Sequence, residues 1–349
     1  MKGTDRIELR PGYTISRVIR GGWQLAGGHG PVEPVAAADD LLASFDAGIT
    51  TFDCADIYTG VEALIGAFRV KLRDARGAEA LGRLRIHTKL VPDLSRLASL
   101  KPTDLDAIVD RSLQRLGMER LDLVQFHWWD YAVPGCLGAL HRLADLRRAG
   151  KIAEIGGTNF DGPHVREIVD AGIPLLSMQT QYSVLDPRAG GDFAALCQAK
   201  GVALLCYGTV AGGFLSERWL GQPEPERAEN RSLVKYRLII DEFGGWELFQ
   251  EVLRALKRVA DRHGIDIASV ATRWTLDRPG VAAAIVGARH GRHTAANANI
   301  GALRLDATDL AAVDAVLAQR KGPHGEPYGL ERDRSGPHGT IMKYDLNAA

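Results

Sequence analysis

Thr51-Phe52-Asp53-Cys54-Ala55-Asp56-Ile57-Tyr58, Ile86-His87-Thr88-Lys89 and Val124-Gln125-Phe126-His127 share one shape. Each is a β-like run ending in an ionisable residue: Asp53, Lys89 or His127, with Tyr58 following Asp53 by five positions. A buried strand gains nothing from such a group unless the group is paired or used. On consecutive strand ends, an Asp, a Tyr, a Lys and a His can form a proton-donating site. Tyrosine alone is a poor acid, with a reference pKa of about 10. A lysine ammonium nearby favours tyrosinate, and an aspartate behind it holds the lysine charged and in place. A histidine beside them can hydrogen-bond a substrate oxygen.

On both sides of these runs, strand-like and helix-like segments alternate. Ile7–Leu9 and Tyr13–Ile15, joined by Pro11-Gly12, predict a short hairpin. Strands are then predicted over Arg17–Gly22, Ile49–Asp53, Leu84–Lys89, Leu121–His127, Ile152–Gly157, Leu175–Gln179, Val202–Tyr207 and Val281–Val286. Most of the eight are apolar throughout, as strands covered on both faces are. Thr103-Asp104-Leu105-Asp106 fits a capping box before an amphipathic helix of Leu105, Ile108, Val109, Leu113 and Leu116. Phe249, Val252, Leu253, Leu256 and Val259 mark another helix, and shorter ones are predicted at 36–47, 61–75, 136–149, 163–171 and 191–200.

This alternation predicts a closed (β/α)8 barrel in one domain, over about residues 16–320. An open doubly wound sheet would want a Gly-rich phosphate turn after its first strand. Gly21-Gly22-Trp23-Gln24-Leu25-Ala26-Gly27-Gly28 is glycine-rich but lacks that spacing. Residues 221–245, after the seventh strand, read as a long mobile lid with Gly212-Gly213 as its hinge. Residues 321–349 form a Gly- and Pro-rich tail. Tyr328, Leu330, Ile341, Met342, Tyr344 and Leu346 make it too apolar for a solvated linker, so it is expected to dock. The barrel mouth and a subunit interface are the two places for it, and the second allows a homo-oligomer.

The 349 residues carry 43 Lys and Arg against 43 Asp and Glu, which argues against a nucleic-acid or membrane-surface partner driven by bulk charge. No apolar run is long enough to span a bilayer. Residues 1–11 are polar and charged, unlike a secretory signal. Cys54, Cys136, Cys197 and Cys206 are scattered, as free thiols in a reducing compartment would be. The expectation is a cytoplasmic protein with a small-molecule partner.

In a parallel barrel the carboxyl ends of the strands meet at one face, where active sites sit. Besides Asp53, Lys89 and His127, the ends here carry Gly22 and Trp23, Gly157-Thr158-Asn159, Gln179, Tyr207 and Gly287-Ala288-Arg289. Singly, each has a plainer reading. Asp53 and Lys89 could be a structural ion pair, His127 a core histidine, and Trp128 and Trp129 core aromatics. Their combination and order argue otherwise. A metal-dependent hydrolase would need clustered ligands, and the sequence has no His-x-His and no second strand-end carboxylate near His127.

Asp53-x-x-x-x-Tyr58, Lys89, His127 closing Asp122-Leu123-Val124-Gln125-Phe126-His127, Gly157-Thr158-Asn159-Phe160, Gln179-Thr180-Gln181-Tyr182 and Val286-Gly287-Ala288-Arg289 through Asn297 together resemble the aldo-keto reductase superfamily, across roughly residues 10–320. The resemblance implies NADP(H) lying extended across the barrel mouth. Hydride would pass from nicotinamide C4 to the carbonyl of an aldehyde or ketone, a sugar or aromatic carbonyl included. Tyr58 would give the proton, Lys89 and Asp53 would tune it, and His127 would orient the carbonyl. The resemblance also implies cofactor contacts from Gly22, Trp23, Asp53, Thr158, Asn159, Gln179, Tyr207, Gly208, Val210, Gly212, Gly287, Arg289, His293 and Asn297. The implied substrate pocket is Trp23, Tyr58, His127 and Trp128, and no metal is implied. Ala296 replaces an acidic residue common in the family, and His293 stands where a basic residue or Gln is usual, so the adenine-end contacts are expected to differ. A second reading is a non-catalytic partner protein resembling the potassium-channel β subunits, which bind the cofactor and act through assembly.

Overall fold

The computed structural model describes residues 5–27, 30–226, 230–287 and 291–347, the side chain of Arg292 excepted. The amino-terminal hairpin pairs β1 (Arg6–Arg10) with β2 (Tyr13–Ser16). Eight parallel strands follow: β3 (Val18–Gly21), β4 (Thr51–Asp53), β5 (Arg85–Leu90), β6 (Leu121–Phe126), β7 (Ile152–Thr158), β8 (Leu175–Gln181), β9 (Ala203–Tyr207) and β10 (Val281–Gly287). They neighbour one another in chain order, and β10 closes the barrel between β9 and β3. The predicted (β/α)8 barrel is therefore the fold.

Around it run α1 (Pro34–Asp46), α2 (Val61–Arg83), α3 (Pro102–Leu116), α4 (Cys136–Arg148), α5 (Gly162–Asp170), α6 (Gly191–Ala199), α7 (Arg231–Phe243), α8 (Trp246–His263), α9 (Ile267–Leu276), α10 (Thr294–Asn299) and α11 (Ala307–Leu317). Two helices differ instructively from their sequence pattern. The cap of α3 sits earlier than Thr103: Pro102 opens the helix, and the Asp104 carboxylate accepts the Lys101 backbone N–H at 2.9 Å. Helix α9 had no visible period because every residue but Ala268 is buried, which leaves no polar face to alternate with an apolar one.

The hairpin plugs the amino-terminal end of the barrel. Tyr13 and Ile15 pack with Ile19, Leu123, Leu205, Ala283 and Ile285, and the Tyr13 hydroxyl lies 3.2 Å from His87 Nε2. Arg10 of the hairpin pairs with buried Glu154. The opposite end stays open, and strand register sets what faces it. Gly21 lies opposite Asp53, Asp53 opposite His87, and Lys89 opposite Gln125. Alternate residues of a strand share a face, so Asp53, Lys89 and Gln125 arrive inside the barrel near its mouth.

The described residues of 221–245 are not the structureless insertion the sequence suggested. Most of this stretch is α7, started by Asn230, whose side chain accepts the Leu233 N–H at 3.0 Å. The helix buries Leu233, Tyr236, Ile239, Ile240 and Phe243. Its Tyr236 lies so near the turn after β9 that a Cβ on Gly208 would sit 2.4 Å from the Tyr236 hydroxyl, and one on Gly212 2.8 Å from its ring. Both glycines also have positive φ, at 76° and 65°. They serve a close contact with α7. Among its described residues the tail forms two short turns of helix, α12 (Gly329–Arg332) and α13 (Pro337–Thr340), and crosses the barrel mouth. Among the described residues, no helix is long and apolar enough to cross a membrane.

Candidate active site

A cavity of about 430 Å3 opens at the carboxyl-terminal end of the barrel. Its floor comes from the strand ends: Asp53, Lys89, His127, Thr158, Asn159, Gln179 and Tyr207 all line it, together with Tyr58. The Lys89 ammonium lies 2.5 Å from Asp53 Oδ1 and donates to the Cys54 carbonyl at 2.9 Å. Asp53 Oδ2 accepts from Gln125 Nε2 at 2.8 Å and from Gln179 Nε2 at 2.7 Å. Gln179 also donates to Gln125 Oε1 at 2.8 Å. Four strands thus share one buried hydrogen-bond network. Such a network is rigid only when its members are satisfied, and here both Asp53 oxygens are engaged.

Tyr58 sits on the loop after β4. Asp56 shapes that loop by accepting the N–H groups of Ile57 at 2.9 Å and Val91 at 3.3 and 3.2 Å. The Lys89 ammonium is 4.9 Å from the centre of the Tyr58 ring, and Trp23 packs on the other side at 5.1 Å between ring centres. Burial pushes the phenol above its ordinary pKa. Lys89 pulls it back without cancelling the rise. Burial also disfavours the Lys89 ammonium, but Asp53 and Tyr58 outweigh it and hold its pKa above the usual lysine range. The arrangement is a protonated phenol beside a fixed positive charge.

His127 Nδ1 lies 3.0 Å from the Thr158 carbonyl. Burial, with Arg332 nearby, lowers its pKa to about 3, so the ring is neutral. Asn159, at φ 63°, accepts the Tyr207 hydroxyl at 2.9 Å.

Not every expected residue reaches the cavity. Trp128 does not: it is 1% exposed, packs on Phe126 and donates its indole N–H to the Val133 carbonyl. Side chains alternate along an extended strand, so the residue next to inward-facing His127 turns outward. Trp129 lines the cavity in its place. Gly22 also misses the lining: it packs against the Asp53 carbonyl and Val61, and Gly21 faces the cavity instead. At the far end, Gly287 and His293 line the cavity, whereas half-buried Asn297 on α10 does not. Arg289 lies outside the described residues. Trp23, Gly208, Val210 and Gly212 line the cavity as expected.

The rest of the wall comes from a helix that was not foreseen and from the tail, whose Tyr328, Ile341, Met342 and Leu346 were expected to dock. Helix α7 contributes Arg231, Ser232, Lys235 and Tyr236, and the tail contributes Tyr328, Ile341, Met342, Lys343 and Leu346. Arg332 fastens the tail by donating to the carbonyls of Trp128 and Trp129 at 2.7 Å and of Asn159 at 2.9 Å. Glu331 fastens it a second time, 3.3 Å from both Arg188 and Lys235, while Arg188 also holds Asp186 at 2.8 Å. The mouth, one of the two places expected for the tail, is where it docks. Its aromatic and charged residues were visible in the sequence, but nothing local named their partners.

Five of the lining residues are glycines: Gly21, Gly208, Gly212, Gly213 and Gly287. Side chains crowd three of them closely, since a Cβ on Gly208 or Gly212 would meet Tyr236 and one on Gly287 would meet Gln24. Among the described residues, no group of three His, Cys, Asp or Glu is placed to hold a metal.

Tyr58, Lys89 and Asp53 thus converge at the end of a parallel barrel where barrel enzymes carry their active sites. The chain belongs to the aldo/keto reductase family, whose sequence profile matches residues 17–318. It is 29% identical over 260 residues to flagellar radial spoke protein 5 of Chlamydomonas reinhardtii, covering 64% of this chain and 49% of that protein. It is also 29% identical over 218 residues to the NADH-specific methylglyoxal reductase of Escherichia coli, covering 58% of this chain and 66% of that enzyme. The chain thus spans about half of the first relative and two thirds of the second. Among solved structures, glycerol dehydrogenase from Gluconobacter oxydans superposes with a TM-score of 0.75 at 23% identity, over 92% of this chain and 98% of that one.

Proposed function

We propose that this protein is an NADP(H)-dependent reductase of aldehydes or ketones in which Tyr58 is the proton donor. The observation that carries the proposal is the Asp53–Lys89–Tyr58 arrangement at the floor of the cavity. When bound, the nicotinamide supplies the hydride. The chain's own part is electrostatic and positional. Tyr58 holds a proton over the reacting oxygen, and Lys89 stabilises the phenolate left behind. Asp53, held by Gln125 and Gln179, keeps Lys89 in place. Thr158, Asn159 and Gln179 are the groups that would hold the carboxamide, and Tyr207 the face of the ring. Trp23, Trp129 and Tyr328 exclude water and present apolar surface to the substrate.

The preference for NADP(H) over NAD(H) rests on Arg289, Arg292, His290 and His293 following β10, a basic group suited to a phosphate dianion. The listener for this preference is a fluorescence titration of both coenzymes. Arg289→Ala should weaken NADPH and leave NADH nearly unchanged, and equal losses for both would count against the 2′-phosphate role. The activity itself is tested by steady NADPH oxidation across a panel of aldehydes and ketones. Near-normal turnover in Tyr58→Phe would sink the acid assignment. Cofactor binding without repeated turnover would favour the reading as an assembly partner.

A further inference from the structure

We propose that Gln125 is a positioning residue for the coenzyme: it fixes the Gln179 amide so that the Gln179 oxygen reads the N–H of the nicotinamide carboxamide. The proposal rests on the reductase reading above, in which Gln179 holds that carboxamide.

Asp53 is a carboxylate paired with Lys89, so its oxygens can only accept. Oδ2 lies 2.8 Å from Gln125 Nε2 and 2.7 Å from Gln179 Nε2. Both amides must therefore turn their NH2 groups toward it. Gln179 Nε2 also lies 2.8 Å from Gln125 Oε1, which takes its second hydrogen. A primary amide has two donor hydrogens and one acceptor oxygen. Both hydrogens of Gln179 are spent, so the polar atom it has left is Oε1. Gln179 lines the cavity. A ligand that meets its amide there must donate, and a carboxamide N–H is such a donor. Asp53 decides which end of the Gln179 amide turns inward. Gln125 supplies the second point that a flat group needs before its plane is fixed.

Gln125 reaches no ligand itself. It is fully buried and does not line the cavity. A gap in the barrel wall gives it its reach. Gln125 stands on β6 and Gln179 on β8, with β7 between them. The β7 residue opposite Gln125 is Gly156. A Cβ there would sit 3.3 Å from Gln125 Cγ and 2.8 Å from Ser177 Oγ. With no side chain on β7 at that level, one amide crosses to the other. The plainer role for Gln125 is to fill the barrel interior, and a methionine of similar size would do that equally well. Methionine would leave the second hydrogen of Gln179 without its acceptor.

The experiment measures Kd by fluorescence titration of the full chain with NADP+ and with its 3-acetylpyridine analogue. The two coenzymes differ in whether the ring's carbonyl group carries NH2 or a methyl. The wild type should bind NADP+ roughly tenfold more tightly, the scale of one hydrogen bond whose loss leaves an acceptor unpaired. Gln125→Met should reduce that ratio to about threefold or less, because Gln179 no longer holds one orientation. A lower Tm with the ratio unchanged is what a mere filler predicts, and it overturns the proposal. Equal affinities in the wild type overturn it too and leave the reductase reading intact. If Gln125→Met does not fold, side-chain amide NMR of the wild type decides. The Gln125 amide resonance should shift more with NADP+ than with the analogue, and equal shifts overturn the proposal. Failure of both coenzymes to bind would overturn the reductase reading and this one with it.

Discussion

The two walls of the cavity reach the same space by different physics. Asp53, Lys89 and His127 are carried there by strands hydrogen-bonded in register, so their positions follow from pairings such as Asp53 with His87 and Lys89 with Gln125. Tyr328, Met342 and Leu346 come from a tail that shares no sheet with the barrel. It is held by Arg332 on three carbonyls and by Glu331 between two cations. Shifting one register would displace the floor as a unit, whereas changing one ion pair can alter the opposite wall and leave the floor alone. The proposed acid thus stands on the rigid side, and the opposite wall is the one that a few residues can reset.

The largest effect is expected on the strand-end side. Tyr58→Phe should lower kcat by roughly 10²–10⁴, the usual worth of a placed general acid, with NADPH affinity kept. Steady-state rates and a coenzyme titration check both halves of that statement. Next comes the fastening of the tail. Glu331→Ala leaves Arg188 and Lys235 without their shared carboxylate in a buried site, and loss of one partner of a buried pair costs about 3–5 kcal/mol. Thermal denaturation should report that loss. If the two walls are as separable as the contacts imply, the variant's KM should move more than its kcat.

Acid sharpens the comparison from both sides. His87 and His127 titrate near pH 3 in the native protein, burial being the main cause for each, against an ordinary 6.5. The unfolded chain therefore binds protons between pH 6.5 and 3 that the native chain refuses, so stability should fall as pH drops through that window. Glu331 behaves as a carboxylate of depressed pKa. Burial alone would raise it, yet Lys235 and Arg188 hold it at about 2. Its contribution is present above its ordinary 4.5 and is lost as pH falls from there toward 2. Urea midpoints measured across pH should decline in two stages, the second absent in Glu331→Gln. The smallest effect is expected at the rim. Met342→Ala should shift preference among carbonyls of different chain length by roughly tenfold in kcat/KM, as one pocket contact does, with NADPH binding unchanged.

How far each wall could be read in advance follows from the same contrast. All ten strands lie within a residue or two of the runs predicted for them, because an apolar run bounded by turns reports its own environment. Asp53, Tyr58, Lys89 and His127 were legible for that reason: an ionisable group closing a buried run is a local anomaly. Gln125 stood inside a quoted run yet gave no signal, since an uncharged amide within a strand acquires meaning only when Asp53 and Gln179 are seen around it. Trp128 and Trp129 are adjacent and chemically alike, and only the direction each side chain takes from the chain decides that one packs on Phe126 and the other faces the cavity.

What the sequence determined by itself was periodic or local: the barrel, the strand ends, and the ionisable groups placed on them. Its apolar runs encode that both faces of each strand are covered, and the parallel closure then brings their ends together. The tertiary structure alone decided which carbonyl His127 meets, which tryptophan faces the cavity, and where the tail lies. Each of these depends on a partner far away in the chain, such as Thr158 for His127 or Arg188 for Glu331. Contacts of that kind form only after the backbone has folded, and no spacing along the sequence records them.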